Sequence, residues 1–186
     1  MEERKHILKI LQNTKSALKN KDHTKIKNLS NQIVHTASIH QDPDVISLAV
    51  IIYALSKIIE RQNYQEEENW NIFYKGYTKN IDDMIRSLKK DNLKRFHQEI
   101  KENRQLIQRL SGNLKTYIQD VFKDAKINKA SRIYEHGISM EKTAKILGVS
   151  LWELSEYTGK TGIHNVNLAV TIPIKKRIKF AEEIFK

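Results

Sequence analysis

Between Ser139 and Tyr157 the chain carries side chains at the spacing of two short helices joined by a tight turn. Ala144 is small, as a close helix crossing requires. Gly148 follows four residues later, where the first helix must end in a residue that tolerates positive φ. Val149 fills the space under the turn, and Ser150 can cap the second helix. Leu154 and Tyr157 then fall back toward Ala144 and Ile146. The chemistry open to such a helix-turn-helix is recognition rather than bond making. Ser150, Leu151, Trp152 and Ser155 face outward on the second helix, and Lys142, Lys145 and Lys160 are placed to hold a phosphate backbone. None of the outward residues on the second helix is Arg, Lys, Asn or Gln, the usual readers of base edges. Glu153 and Glu156 stand among them. The same helix therefore has a second use, contact with a protein partner, with Trp152 as the anchor.

Further along, Lys175, Lys176, Arg177 and Lys179 form a basic cluster on one side of a terminal amphipathic segment. Ile174, Ile178, Ala181 and Phe185 form its other side. Such a segment docks on its own domain, on a partner groove or on nucleic acid.

Catalytic groupings do not emerge. The seven histidines are scattered, and His35 and His40, five apart, do not share a helix face. The chain has no cysteine, which excludes disulfides, thiolate catalysis and cysteine zinc sites. It has no glycine-rich phosphate loop, nucleophile elbow or HExxH. A non-enzymatic protein without cofactor or metal is the expectation.

The 186 residues carry 33 Lys/Arg against 22 Asp/Glu, a net +11 that favours a polyanionic partner. The excess is not concentrated at the helix-turn-helix. Residues 124–186 hold 11 Lys/Arg and 7 Asp/Glu, a net +4 of that total. The densest group, Lys15, Lys19, Lys21, Lys25 and Lys27, lies near the N-terminus. It offers a surface for RNA or a ribosome as a third reading. The most apolar run, Val45 to Ile59, is broken by Ser47, Tyr53, Ser56 and Lys57 and is too short to span a bilayer. A cytoplasmic protein without a membrane partner is expected.

Six glycines and two prolines leave the chain well suited to helices. Apolar residues recur at steps of three and four from Ile7 onward. Asp42-Pro43 gives a stop and restart, because Asp caps and Pro is tolerated at the first helical position. Val45, Leu48, Ile52, Leu55 and Ile59 mark a central, buried helix. Trp70, Phe73, Tyr77, Ile81, Met84 and Leu88 mark the next. From Leu93 to Val121 the apolar positions follow a seven-residue repeat, interrupted by Asn103. This predicts one long helix with Asn103 fixing register or facing solvent, and offers a seam for a homodimer. The repeat stops near Asp124–Asn128, where a boundary is expected and Asn128 can cap a new helix ending before Gly137. The prediction is an all-α chain. A multi-helix antiparallel bundle over 1–123 serves self-association or partner binding. A domain over 124–186 holds the helix-turn-helix, a flexible link at Gly159–Gly162, a short strand or extended arm over Val166–Ile172, and the terminal basic helix after Pro173.

The stretch Ala130-Ser-Arg-Ile-Tyr-Glu-His-Gly-Ile138, then Ala144-Lys-Ile-Leu-Gly-Val-Ser-Leu-Trp-Glu-Leu154, resembles small archaeal helix-turn-helix proteins of the antitoxin-like kind found with PIN-domain ribonucleases. The similarity extends to Thr171–Phe185 and covers the C-terminal third. It implies DNA binding, autoregulation of an operon, and neutralisation of a ribonuclease toxin. The 123 residues before it lie outside that pattern.

Overall fold

A computed structural model describes residues 2–40, 42–61, 65–67, 69–108, 110 and 112–161, and the described residues form eight helices and no strand. The all-α expectation holds. The expected strand or arm over Val166–Ile172, the helix after Pro173, and with it Lys175, Lys176, Arg177 and Lys179, lie outside the described residues.

Three helices form the first half: α1 (Glu2–Lys19), α2 (His23–His40) and α3 (Pro43–Glu60). Asp42 starts α3 by accepting from the amides of Asp44 (2.8 Å) and Val45 (3.4 Å), and Pro43 follows it at a position that needs no amide donor. The core-facing side of α3 is nearly its whole circumference, with Ile46, Leu48, Ala49, Ile52, Ala54 and Ile58 all at 0 % exposure. It is the central helix of the fold.

A second triplet follows: α4 (Trp70–Lys89), α5 (Leu93–Gln108) and α6 (Gly112–Glu135). It repeats the first, shifted by 70 in residue number, as from Leu18 to Leu88. The connection from α1 to α2 places Lys21 at φ 52°, and that from α4 to α5 places Asp91 at φ 57°. In the first, the Asp22 amide donates to Ala17 O over 2.9 Å; in the second, the Asn92 amide donates to Ser87 O over 2.9 Å. Asp22 then caps α2 through the Lys25 amide, and Asn92 caps α5 through the Arg95 amide, each over 2.9 Å. The packing obeys the same exchange. Helix α1 lies on α2 as α4 lies on α5, and α2 on α3 as α5 on α6. Helix α2 touches α6 as α5 touches α3, while α1 meets α4 and α3 meets α6. This is the contact pattern of a pseudo-two-fold pair of three-helix units.

Two expectations are corrected here. The long helix predicted over Leu93–Val121 is two helices, broken between Gln108 and Gly112. Gly112 takes φ 62°, a left-handed backbone that ends regular propagation. The seven-residue repeat hid the break, because Phe96 and Ile100 before it and Leu114, Tyr117 and Val121 after it bury into one core. That core belongs to the chain itself, and of the described apolar positions of the repeat only Leu93 is exposed. Second, no helix starts at Asn128. Helix α6 runs unbroken through Asp124–Asn128, a stretch with no glycine or proline to stop it. Asn128 instead donates from Nδ2 to Tyr157 Oη over 3.0 Å.

The last two helices are α7 (Met140–Leu147) and α8 (Leu151–Lys160), and both pack on α6 and on each other. Gly148 ends α7 at φ 62°, with the Val149 amide donating to Ala144 O over 3.1 Å. Helix α8 continues through Gly159 and Lys160 to its cap at Thr161, so Gly159 is helical rather than part of a link.

Candidate functional site

The first turn of α8 is the most exposed apolar part of the described structure. Trp152 is 72 % exposed and Leu151 51 %, side by side. Their exposure follows from how the turn is built. Ser150 accepts from the Glu153 amide over 3.1 Å, and Glu153 reaches back to the Ser150 amide over 3.1 Å. This reciprocal capping box fixes where α8 begins. Leu154, one turn further, is fully buried, and Ala144 and Leu147 are buried on α7. With that face turned inward, Leu151 and Trp152 are rotated outward.

The predicted contact residues on α7 and α8 can be placed, whereas Lys175, Lys176, Arg177 and Lys179 lie outside the described residues. Lys142 and Lys145 are exposed on α7, and Ser155 is exposed on α8, three residues past Trp152. The Ser150 hydroxyl is spent on the cap: it also donates to Glu153 Oε2 over 2.8 Å. Lys160 is tied to Glu156 at 2.5 Å, so its charge is matched within α8. Glu153 leans to α6, where Lys123 lies at 3.5 Å. Hydrogen bonds from Ser150 are the main reason its carboxyl sits below the ordinary value, with Lys123 adding to the effect.

Trp152 forms one wall of an open cleft of about 540 Å³ between α6 and α8. Asp120, Asp124, Glu153 and Glu156 line it, against Lys123 and Lys160. Both lysines are already paired with Glu153 and Glu156. Ile127 and Tyr157, both half-buried, complete its lining. The cleft is therefore acidic in balance, with one large apolar side chain standing over it. Across residues 140–161 the three lysines are matched by Glu141, Glu153 and Glu156. Among the described residues, α7 and α8 therefore carry no net positive charge of their own.

Two groupings escaped the sequence. Asp42, Asp44 and His97 bring one ligand atom each within 4.8 Å, the only such group among the described residues. His97 Nδ1 lies 2.6 Å from Asp44, while Asp42 is engaged as the α3 cap. The other is a polar cluster buried between α4 and α5. Asn103 Nδ2 donates to Asn80 Oδ1 over 2.5 Å, and Asn80 Nδ2 donates to Glu99 Oε2 over 3.2 Å and to the Glu99 carbonyl over 2.9 Å. Arg95 lies 2.5 Å from Glu99 Oε1. Desolvation nevertheless holds the Glu99 carboxyl above its ordinary value, with the Glu102 charge adding to the rise against Arg95. Only one sequence signal pointed here, the interruption of the apolar seam at Asn103. That residue is 0 % exposed, so the solvent-facing alternative does not apply.

Lys129 is the other buried charge. It donates to Asn31 Oδ1 over 2.8 Å, and its ammonium sits 4.0 Å from the Tyr53 ring centroid. Burial, with smaller contributions from Arg132 and Lys27, lowers its pKa to about 7. Such an amine is nucleophilic, but at 0 % exposure it meets no substrate. It serves as a tie between α6, α2 and α3.

Searches against family models, curated proteins and solved structures find no match to this chain.

Proposed function

We propose that this chain is a non-catalytic interaction protein in which α7, the Gly148–Ser150 turn and α8 form a helix-turn-helix used for protein contact. The observation that carries the reading is Trp152, 72 % exposed above a cleft where carboxylates outnumber cations. A partner suited to it presents an apolar pocket for Trp152 and Leu151, rimmed by Lys or Arg to face Asp120, Asp124 and Glu156. Aromatic anchors of this type dominate interface energetics, and the acidic rim steers a basic partner. A ribonuclease toxin, implied by the resemblance of the C-terminal third to antitoxin-like proteins, is one candidate of suitable class.

The second reading is a DNA-binding regulator. It is favoured by the exposed Lys142 and Lys145 on α7 and by the overall +11. In it, α8 enters the major groove and the two lysines hold phosphates. The matched charges of α7 and α8 make it the weaker of the two.

The test is a paired substitution, Leu151→Ser with Trp152→Ala, in an affinity-tagged chain purified from its native background. The protein-contact reading expects a stoichiometric co-purifying protein that the substitutions remove, with the melting temperature unchanged. Salt-resistant, sequence-preferring duplex DNA binding lost on Lys142→Glu with Lys145→Glu would replace it with the regulator.

A further inference from the structure

His35 and His136, far apart in the chain, meet on the surface where α2 passes the end of α6. Their ring centroids lie 5.3 Å apart, and the rings are tilted by 57°. Both residues are exposed. Among the described residues no hydrogen bond or ion pair holds either imidazole, so both rings are free to turn and open to a ligand.

The backbone beneath them is fixed. Asn31, one turn before His35, accepts from Lys129 Nζ over 2.8 Å and ties α2 to α6. Ile33 and Ile133, on the same two helices, are fully buried. His136 directly follows α6, and its amide donates to Ile133 O over 3.1 Å and to Arg132 O over 3.3 Å. The second half of the repeat carries Gln105 where the first has His35, so the framework itself does not call for a histidine there.

Two imidazoles at this separation suit a metal ion. A ring nitrogen about 2.0–2.1 Å from a metal puts the ring centroid about 3.2 Å from it, and two such ligands at a tetrahedral angle have centroids about 5.2 Å apart. The electrostatics agree. The C-terminal end of a helix is the negative pole of its dipole and favours a cation. Arg132, which also acts on His136, is paired with Glu135 over 2.8 Å. Partial burial, and after it His35, hold the His136 pKa below its ordinary value, so the ring is neutral and able to ligate at pH 7. His136 also borders an open cavity of about 250 Å³ with Glu135 and Arg132, which leaves room for coordinating water. The group of Asp42, Asp44 and His97 is less suited. It lies at the start of α3, a positive pole, and Asp42 already serves the cap.

We propose that His35 and His136 together bind one late first-row divalent metal ion, of the zinc, nickel and copper(II) class, with water completing its shell. The ion bridges α2 and the end of α6. The site does not depend on what α8 contacts.

The test is calorimetric titration of the full, untagged chain with zinc chloride, in which one saturable equivalent is expected. His35→Gln, which copies the second half, and His136→Ala should each weaken binding about tenfold or more. Both should melt with the parent, because both side chains are exposed. His97→Ala should bind as the parent does. Saturating zinc should also shield His35 and His136 from carbethoxylation by diethyl pyrocarbonate, while the exposed His6 and His23 react as before. Absence of saturable binding by the parent, undiminished binding by either His35→Gln or His136→Ala, loss of binding on His97→Ala, or no shielding of the two rings would overturn the proposal.

Discussion

The Asn103 amide donates to Asn80 Oδ1 over 2.5 Å at the two positions that Ile33 and Ile10 occupy in the first half of the chain. Glu99, 2 % exposed, extends this polar contact where the first half has Leu29. Its carboxyl is held above the ordinary value chiefly by desolvation. A carboxyl raised on folding favours the folded state while protonated, and that contribution fades as pH rises through the folded value. Glu99→Gln should therefore melt higher than the parent at neutral pH. The gap should narrow on acidification toward the ordinary carboxylate range. Thermal melts across that range check it; a variant that melts lower at neutral pH would show Glu99 to be stabilising as an anion.

Lys129 gives the opposite sign. Its folded pKa of about 7 lies below the ordinary lysine value of 10.5. Between the two the unfolded chain holds a proton that the folded chain has released. Stability contributed by this group must therefore rise with pH across that window and level off below it. Lys129→Met should raise stability at pH 7 by on the order of 1–3 kcal/mol, because it removes the buried charge while keeping most of the packing. It should also flatten the rise between pH 7 and 9.5. Denaturant melts at several pH values measure both. A loss of stability at pH 7 would mean that the bond to Asn31 and the Tyr53 ring outweigh desolvation.

The start of α8 depends on two local devices. Ser150→Ala removes the cap and should cost about 1 kcal/mol, with Ser150→Asp retaining most of it. Gly148 adopts φ 62° with no atom near the place of a Cβ, so Gly148→Ala should cost about 1 kcal/mol from backbone strain alone. Equilibrium unfolding of the two variants tests these values.

Those two devices were legible in the sequence because they are local. A residue that tolerates positive φ, followed two positions later by a capping hydroxyl, leaves few alternatives over so short a span. The Asp42-Pro43 restart was legible for the same reason. The break at Gly112 was not, since both sides of it bury apolar residues into one core and the seven-residue spacing runs across the gap. Nor was the continuity of α6, because past Val121 the helix meets α8 through Asn128 while Lys129 still reaches α2 and α3, so burial on several sides rather than a helix end explains the loss of the repeat. The repeat between the halves was present in Leu18-Lys-Asn-Lys-Asp22 and Leu88-Lys-Lys-Asp-Asn92. Its meaning lay in turn geometry that periodicity alone does not carry. The pairing of Asn80 with Asn103 joins two helices across a turn and needed the fold. The exposure of Trp152 depended on how Leu154 seats against α7.

The two tryptophans separate by environment, which gives a direct check on that exposure. Trp70 is 8 % exposed and stacks near Tyr74, whereas Trp152 is open. In a Trp70→Phe variant the remaining emission should be red-shifted and readily quenched by acrylamide. In Trp152→Ala it should be blue-shifted and protected, with stability changed by less than about 0.5 kcal/mol. Protected emission from Trp152 would mean that this side chain is covered in the free protein.

The most direct measurement is photo-cross-linking from position 152. A photoreactive phenylalanine analogue replaces Trp152 in the tagged chain, and irradiation is carried out in the native extract. Protein contact through α8 predicts one discrete adduct that survives nuclease, is removed by protease, and is lost when Asp120 and Asp124 are both changed to Lys. A nuclease-sensitive adduct, or none at all, would contradict it.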